Sequence, residues 1–177
     1  MPIFHALGAE CTVLDYSSKQ IESELLVAER EGYHINAIEG GMTKKFPFLD
    51  ESFDIVFHPV SNCYVEDGQF VFHEAYRVLK QGGIFLSRLN NEINYMVDNE
   101  EKEIVWNMPF NLMKDEKAKE FMLAERSGMQ FFHTITEQIG GQLKAGFMFL
   151  DLYEDTNGFC RLHEMNIKTY IATKSVK

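Results

Sequence analysis

An acidic residue directly follows a short apolar run near the start of the sequence, and a helix-start pattern follows the acid. Residues 12–14 are Thr-Val-Leu, Asp15 comes next, and Ser17 with Gln20 forms a capping-box pattern. Nucleotide-binding α/β folds place an acid at the C-terminal end of a buried strand to bind a ribose, because a carboxylate accepts hydrogen bonds through both oxygens. The spacing therefore predicts a ribose-binding carboxylate at Asp15.

Two polar side chains follow a later apolar run, and each has more than one interpretation. His58 directly follows residues 53–57, and an imidazole with an ordinary pKa of about 6.5 suits proton transfer. The alternative for His58 is a pocket-lining role, which we favour. Tyr64 lies in the same loop and is equally consistent with substrate contact and with packing. The sequence has no Cys-x-x-Cys or Cys/His ligand spacing, so we predict no metal site.

Composition restricts the class of protein. A length of 177 residues, 45% of them apolar and 25% charged, predicts a single globular domain over residues 1–177. The net charge of −10 argues against nucleic-acid and anionic-membrane partners, because both require a basic surface. Three widely spaced cysteines, no bilayer-spanning apolar run and no signal-peptide pattern favour a cytoplasmic location.

Strand and helix patterns alternate along the first half of the chain. We predict strands at 12–16, 35–39, 53–57 and 84–86, with helices after Ser17 and Asp67. This alternation predicts an α/β fold with a mostly parallel sheet. Residues 90–128 are polar with interspersed bulky side chains, and we expect an insertion or lid there, with a helix at 115–127. A capping box at Thr134 predicts a helix ending near Gly146. Strands at 147–153 and 165–173, joined by a polar loop, then predict a C-terminal antiparallel hairpin.

Three phrases of the sequence are similar to those of class I S-adenosylmethionine-dependent methyltransferases. They are Val-Leu-Asp at 13–15, Phe-Pro-Phe at 46–48 with Phe-Asp-Ile-Val-Phe at 53–57, and Glu-Ala-Tyr-Arg-Val-Leu-Lys-Gln-Gly-Gly-Ile-Phe at 74–85. Residues 138–147 resemble a bacterial subgroup of that family. The resemblance implies a Rossmann-like sheet ending in an antiparallel strand, with S-adenosylmethionine as cofactor.

The resemblance also implies roles for individual residues. Asp15 would bind the ribose hydroxyls and Tyr16 would flank the adenosine, while Gly41 and Met42 would lie against the adenine. Three consecutive residues would line the floor near the methionine moiety: His58, Pro59 and Val60. No catalytic residue is assigned, because methyl transfer depends mainly on positioning.

The sequence departs from the family pattern in two places. Many relatives have an acid where Gly41 stands, and its absence weakens the expected adenine contact. The family's first strand and Gly-x-Gly-x-Gly loop are also absent, so we expect an N-terminally truncated sheet that lacks its central strand. Unpaired strand edges are costly when buried. Re-pairing of the sheet, a strand from a partner chain, and an unstable gene fragment are three possible outcomes, and our hypothesis is re-pairing or a homodimer.

The function that follows is methyl transfer from S-adenosylmethionine to a small-molecule acceptor. One alternative is a non-catalytic remnant that acts as a binding or assembly module. Another is a nicotinamide-dependent dehydrogenase, which also has an acid after its second strand. The predicted antiparallel hairpin argues against the dehydrogenase.

Overall fold

The structure is a computed structural model that describes residues 1–106, 108, 116–117, 119–120 and 129–177. Two compact units make up the chain, Met1–Pro47 and Phe48–Lys177. The predicted helix at 115–127 lies largely outside the described residues.

The first unit is a single strand–helix–strand crossover preceded by a short helix. Its elements are α1 (Pro2–Ala6), β1 (Cys11–Asp15), α2 (Ser18–Glu31) and β2 (Ile35–Glu39). The hydroxyl of Ser17 accepts from the Gln20 N–H at 3.4 Å, which starts α2. Gly32 ends α2 in the left-handed conformation (φ 71°), which glycine adopts without a Cβ penalty. β1 and β2 pair in parallel, with Asp15 opposite Glu39.

The second unit is a four-stranded sheet in the order β3-β4-β6-β5. Its elements are β3 (Phe53–Pro59), a 3-10 turn (Asn62–Tyr64), α3 (Gly68–Val78), β4 (Leu79–Asn90), a second 3-10 turn (Glu92–Tyr95), α4 (Ile135–Ala145), β5 (Met148–Asp155), α5 (Cys160–Glu164) and β6 (Tyr170–Val176). β3 and β4 are parallel, whereas β6 is antiparallel to both β4 and β5. The predicted α/β class and antiparallel C-terminal hairpin are confirmed.

One face of this sheet packs against helices to form the core. The core cluster consists mainly of aromatic and aliphatic side chains of α3, β4 and α4, with one residue directly before β5: Phe72, Ala75, Leu79, Phe85, Leu89, Ala145 and Phe147. Gln142 of α4 is fully buried within this layer and is hydrogen-bonded. Its Oε1 accepts from the hydroxyls of Thr173 (3.1 Å) and Ser175 (3.2 Å), so α4 is fixed to β6 by polar as well as apolar contacts.

The start of β4 differs from the prediction. The predicted helix after Asp67 and strand at 84–86 place the Gly82-Gly83 pair between them, as the end of the helix, but α3 ends at Val78 and β4 begins at Leu79. Leu79 pairs with Phe53, the register then shifts, and the ladder resumes where Ile84 faces Ile55. The glycine pair therefore lies in an irregular segment within the strand.

The hairpin connection also differs from the prediction. We expected a polar loop between the last two strands, but the one-turn helix α5 lies within it. Phe159 at its N-cap makes no side-chain capping hydrogen bond, so the sequence has no start signal there.

Four strands have an edge that no other described strand covers, namely β1, β2, β3 and β5. Among the described residues, β1 pairs only with β2, and β3 pairs only with β4. The predicted homodimer and cytoplasmic location stay predictions. No helix in the described part of the chain has the length and apolar character needed to cross a membrane.

Candidate cofactor-binding site

Asp15 lies at the C-terminal end of β1, half-buried, where the predicted ribose carboxylate should be. Its Oδ1 accepts a hydrogen bond from the Ser17 N–H at 2.8 Å. This bond fixes the carboxylate beside the start of α2. No described residue donates a hydrogen bond to the second carboxylate oxygen, Oδ2. The backbone carbonyl of Asp15 accepts from the Gly40 N–H at 2.9 Å, so the loop after β2 lies directly beside the acid.

Glycines in that loop allow a close approach of the chain. A Cβ on Gly40 would lie 2.9 Å from Leu14 Cδ1, so only glycine fits there without a shift. A Cβ on Gly41 would lie 3.5 Å from the ring of Tyr16, whose side chain is 84% exposed. The structure therefore brings Asp15, Tyr16 and Gly41 together, and Met42 follows half-buried. The packing role of Gly40 was not predicted, although the consecutive glycines 40 and 41 could have indicated it.

The remaining three predicted residues lie at the C-terminal end of β3 in the second unit. Pro59 is exposed and is opposite Arg88 of β4, while His58 is buried and opposite Ser87. Val60 has a left-handed backbone (φ 46°), which is strained for a β-branched residue. Its N–H donates to the carbonyl of Arg88 at 2.8 Å. Strained backbone of this kind concentrates at functional sites.

His58 is buried in the protein interior, which bears on its two interpretations. Its ring lies 6.2 Å from that of Phe85, and its Nε2 has no hydrogen-bond partner among the described residues. Burial lowers the pKa of His58 from 6.5 to about 4. A general base works best with a pKa near the operating pH, so this environment favours the lining role over base catalysis.

The buried imidazole predicts a loss of stability in mild acid. Because the pKa of His58 is about 4 in the folded chain and 6.5 when unfolded, the unfolded state binds the proton first as the pH falls. The contribution of His58 is complete above pH 6.5 and is lost progressively down to about pH 4, by about 3 kcal/mol at most. Urea unfolding at pH 7 and pH 5 should show a smaller pH dependence for His58→Gln than for the wild type.

The control for this measurement is His73→Gln, because His73 is exposed on α3. It should keep the wild-type pH dependence. If His58→Gln kept the wild-type pH dependence, the stability loss in mild acid could not be attributed to His58.

A group of polar and apolar side chains beyond the ends of β3 and β4 was not predicted as a unit. It surrounds a cavity of about 10 Å³ whose lining residues are Val60, Asn62, Cys63, Leu89, Asn90, Tyr95, Phe131, His133 and Gln138. Asn62 is only 3% exposed, yet neither polar atom of its side chain has a partner among the described residues. His133 Nε2 lies 3.1 Å from the carbonyl oxygen of Asn62 and 2.8 Å from that of Val65, and it donates to them.

Tyr64 and possible metal ligands are the remaining candidates. Tyr64 is exposed in the first 3-10 turn, and its possible contact with a substrate stays a prediction. In the described part of the chain, no group of three or more His, Cys, Asp and Glu side chains is arranged to hold a metal ion.

Comparison with known proteins agrees with this geometry. Residues 1–87 match the model of a methyltransferase domain family. The chain is 38% identical to the uncharacterized methyltransferase YbaJ of Bacillus subtilis, over 99% of this chain and 71% of that protein.

Solved structures share the fold. An S-adenosylmethionine-dependent methyltransferase from Mesorhizobium loti matches 99% of this chain and 84% of its own, with a TM-score of 0.71 and 18% identity. A geranyl diphosphate methyltransferase in complex with S-adenosylmethionine matches 96% of this chain and 69% of its own, with a TM-score of 0.65 and 14% identity. Because it is 38% identical to YbaJ over most of both proteins, the chain belongs to the methyltransferases, and its fold is that of the class I enzymes whose cofactor is S-adenosylmethionine.

Proposed function

We propose that this chain transfers the methyl group of S-adenosylmethionine to a small-molecule acceptor, with Asp15 as the ribose-binding residue. The observation that carries the proposal is the position of the Asp15 carboxylate. It is half-buried at a strand end, one oxygen is fixed by the Ser17 N–H, and the other has no partner among the described residues. Such a group is ready to accept hydrogen bonds from a ribose.

The neighbouring residues of the first unit suit an adenosine. The exposed Tyr16 ring offers a flat apolar surface, and Gly41 has no side chain to obstruct a base beside it. The Met42 N–H is the donor that we assign to an adenine ring nitrogen. These properties fit the nucleoside half of S-adenosylmethionine.

In the second unit we assign His58, Pro59 and Val60 to the methionine end. They follow a parallel strand at its carboxyl end, where ligands bind in α/β sheets. The neutral His58 imidazole carries no charge at pH 7 that would repel a sulfonium. S-adenosylmethionine supplies an already activated methyl group, so the task of the chain is to orient the acceptor and exclude water.

A second candidate function is an assembly module without catalysis. The unpaired edges of β1 and β3 favour it, because an open strand edge accepts an added strand through main-chain hydrogen bonds. The dehydrogenase alternative is not favoured, because the last strand β6 is antiparallel to its neighbours.

A transfer assay separates catalysis from binding alone. The chain is incubated with S-adenosylmethionine labelled in the methyl group and with mixtures of small alcohols, amines, thiols and carboxylic acids. We expect an acceptor-dependent labelled product that falls at least about tenfold with Asp15→Ala. Cofactor binding without transfer to any mixture would favour the assembly module.

A further inference from the structure

The chain between β3 and α3 has two features that lower the stability of the fold. Val60 has a left-handed backbone (φ 46°), which a β-branched residue adopts only when surrounding contacts hold it there. Asn62 is 3% exposed, and neither polar atom of its side chain has a partner among the described residues. Strained backbone and unpaired buried groups of this kind concentrate at functional sites, so the contacts that hold this turn are of interest.

A short segment just before α4 donates hydrogen bonds to three main-chain carbonyls of this turn. The Phe131 N–H donates to the Cys63 carbonyl at 2.6 Å. His133 Nε2 lies 3.1 Å from the carbonyl oxygen of Asn62 and 2.8 Å from that of Val65. Carbonyl oxygens only accept, so Nε2 carries the proton and donates to both. One imidazole therefore holds the chain on both sides of the first 3-10 turn.

The turn passes this support on to Val60. The Cys63 thiol donates to the Val60 carbonyl at 3.3 Å, and the Val60 N–H donates to the Arg88 carbonyl at 2.8 Å. Both main-chain polar groups of Val60 are thus bonded, one to β4 and the other to the turn that His133 holds. His133 is only 8% exposed, so water competes little for its bonds.

The backbone that carries the imidazole is itself fixed to regular elements. Gln138 Nε2 donates to the His133 carbonyl at 3.0 Å and to the carbonyl of Asn90, the last residue of β4, at 2.8 Å. The next residue, Thr134, is the N-cap of α4 and forms its capping box. The imidazole therefore connects the start of α4 and the end of β4 to the strained turn.

We propose that His133 is a positioning residue for the methionine end of the cofactor site. By holding the turn after β3, it holds Val60 in the conformation that binds this part of the ligand. The proposal rests on the proposed function for the role of Val60. His133 acts on the backbone of the turn and touches neither cofactor nor acceptor. Its loss should therefore weaken ligands that have the amino-acid end and spare ligands that consist of the nucleoside end alone.

His133→Leu tests the proposal, because it removes the donor and leaves an apolar side chain of similar size. Two ligands are titrated by calorimetry at pH 7. S-adenosylhomocysteine has the amino-acid end, whereas methylthioadenosine has the same adenosine and sulfur without it. We expect His133→Leu to weaken the binding of S-adenosylhomocysteine about tenfold and that of methylthioadenosine by less than about twofold. Tm should also fall, by about 3 °C.

His133→Gln is the matched control, because a glutamine amide can place a donor where the imidazole Nε2 lies. It should bind S-adenosylhomocysteine within about threefold of wild type. Arg77→Met is the control for stability alone, since it breaks contacts with Glu74 and with the segment before β3. It should lower Tm and leave both affinities within about threefold of wild type. If His133→Leu does not fold, His133→Asn replaces it, because its amide is too short to reach the two carbonyls.

The outcomes separate this proposal from the proposed function. A loss of affinity for S-adenosylhomocysteine that His133→Gln restores, and that methylthioadenosine does not share, would support the proposal. Equal losses for the two ligands, or an unchanged affinity for S-adenosylhomocysteine, would overturn the positioning role alone. If methylthioadenosine binds the wild type too weakly to measure, an equal loss of S-adenosylhomocysteine affinity in His133→Leu and Arg77→Met would overturn it, and a loss confined to His133→Leu would support it. No heat with S-adenosylhomocysteine from the folded wild type would instead overturn the proposed function and this role together.

Discussion

Replacing Asp15 with alanine should weaken the binding of S-adenosylhomocysteine by about 150- to 25,000-fold. The carboxylate is assigned two ribose hydroxyls, and hydrogen bonds to a charged group contribute about 1.5–3 kcal/mol each, so losing both costs about 3–6 kcal/mol. Titration calorimetry at pH 7 measures the change. Asp15→Asn keeps an oxygen for the Ser17 N–H but loses the charge, so its affinity should lie between those of the wild type and Asp15→Ala.

Glu39 offers a matched control for this prediction. It is the register partner of Asp15, at the end of the adjacent strand, and it is exposed. Glu39→Ala removes the same charge from the same edge of the sheet, so its affinity should stay within about threefold of wild type. Equal losses in Asp15→Ala and Glu39→Ala would mean that only the general negative potential matters.

Replacing Arg77 with methionine should lower the free energy of unfolding by about 3 kcal/mol, because the partly buried Glu74 loses its bidentate cation. The Arg77 guanidinium donates to both carboxylate oxygens of Glu74 at 2.8 and 2.7 Å, and also to Asp50 and to the Phe48 carbonyl. The Glu74 carboxylate, hydrogen-bonded to this guanidinium, raises the pKa of Arg77 further above its usual range. Denaturant unfolding at pH 7 measures the loss.

Lys80 provides the comparison within the same sequence phrase. Its ammonium pairs with Asp54 at 2.9 Å, but both side chains are largely exposed. Exposed pairs contribute about 0–1 kcal/mol, so Lys80→Met should have little effect. Similar losses for the two variants would contradict the view that Arg77 stabilises the fold through a partly buried ion pair.

The sequence phrase around Arg77 is typical of the family, yet it contains none of the predicted site residues. Arg77 connects α3 to the segment before β3, and Lys80 pairs across to β3 itself. A Cβ on Gly83 would lie 2.8 Å from the Lys80 carbonyl, so glycine is required there. The most specific phrase of the sequence therefore serves the fold rather than the chemistry.

Local signals predicted the elements with strong end markers. β2 has the predicted bounds of 35–39, and Thr134 forms a capping box with Glu137 at the start of α4. The start of β4 was missed because pairing of Leu79 with Phe53 overrides the glycine signal that follows it. Strand pairing of this kind depends on residues far apart in the chain, so the local sequence does not indicate it.

The candidate site, like the fold, was only partly predictable from the sequence. Asp15, Tyr16 and Gly41 come together because a parallel strand pair fixes both strand ends, and this follows from periodicity and crossover rules. The strain at Val60 depends on tertiary contacts, such as the hydrogen bond from its N–H to the carbonyl of Arg88 in the adjacent strand. The sequence also does not show that the buried Asn62 amide has no partner among the described residues, because burial of a polar group depends on the packing around it.

The most direct test of the account is titration of the purified wild-type chain with S-adenosylhomocysteine. The central claim is that these 177 residues form a working cofactor site although β1 and β3 each have an uncovered edge. We expect a saturable 1:1 heat with a dissociation constant in the micromolar range, roughly 8 kcal/mol of binding free energy, and a much weaker binding by Asp15→Ala. The absence of heat at millimolar ligand, from a chain whose cooperative unfolding shows that it is folded, would contradict the account.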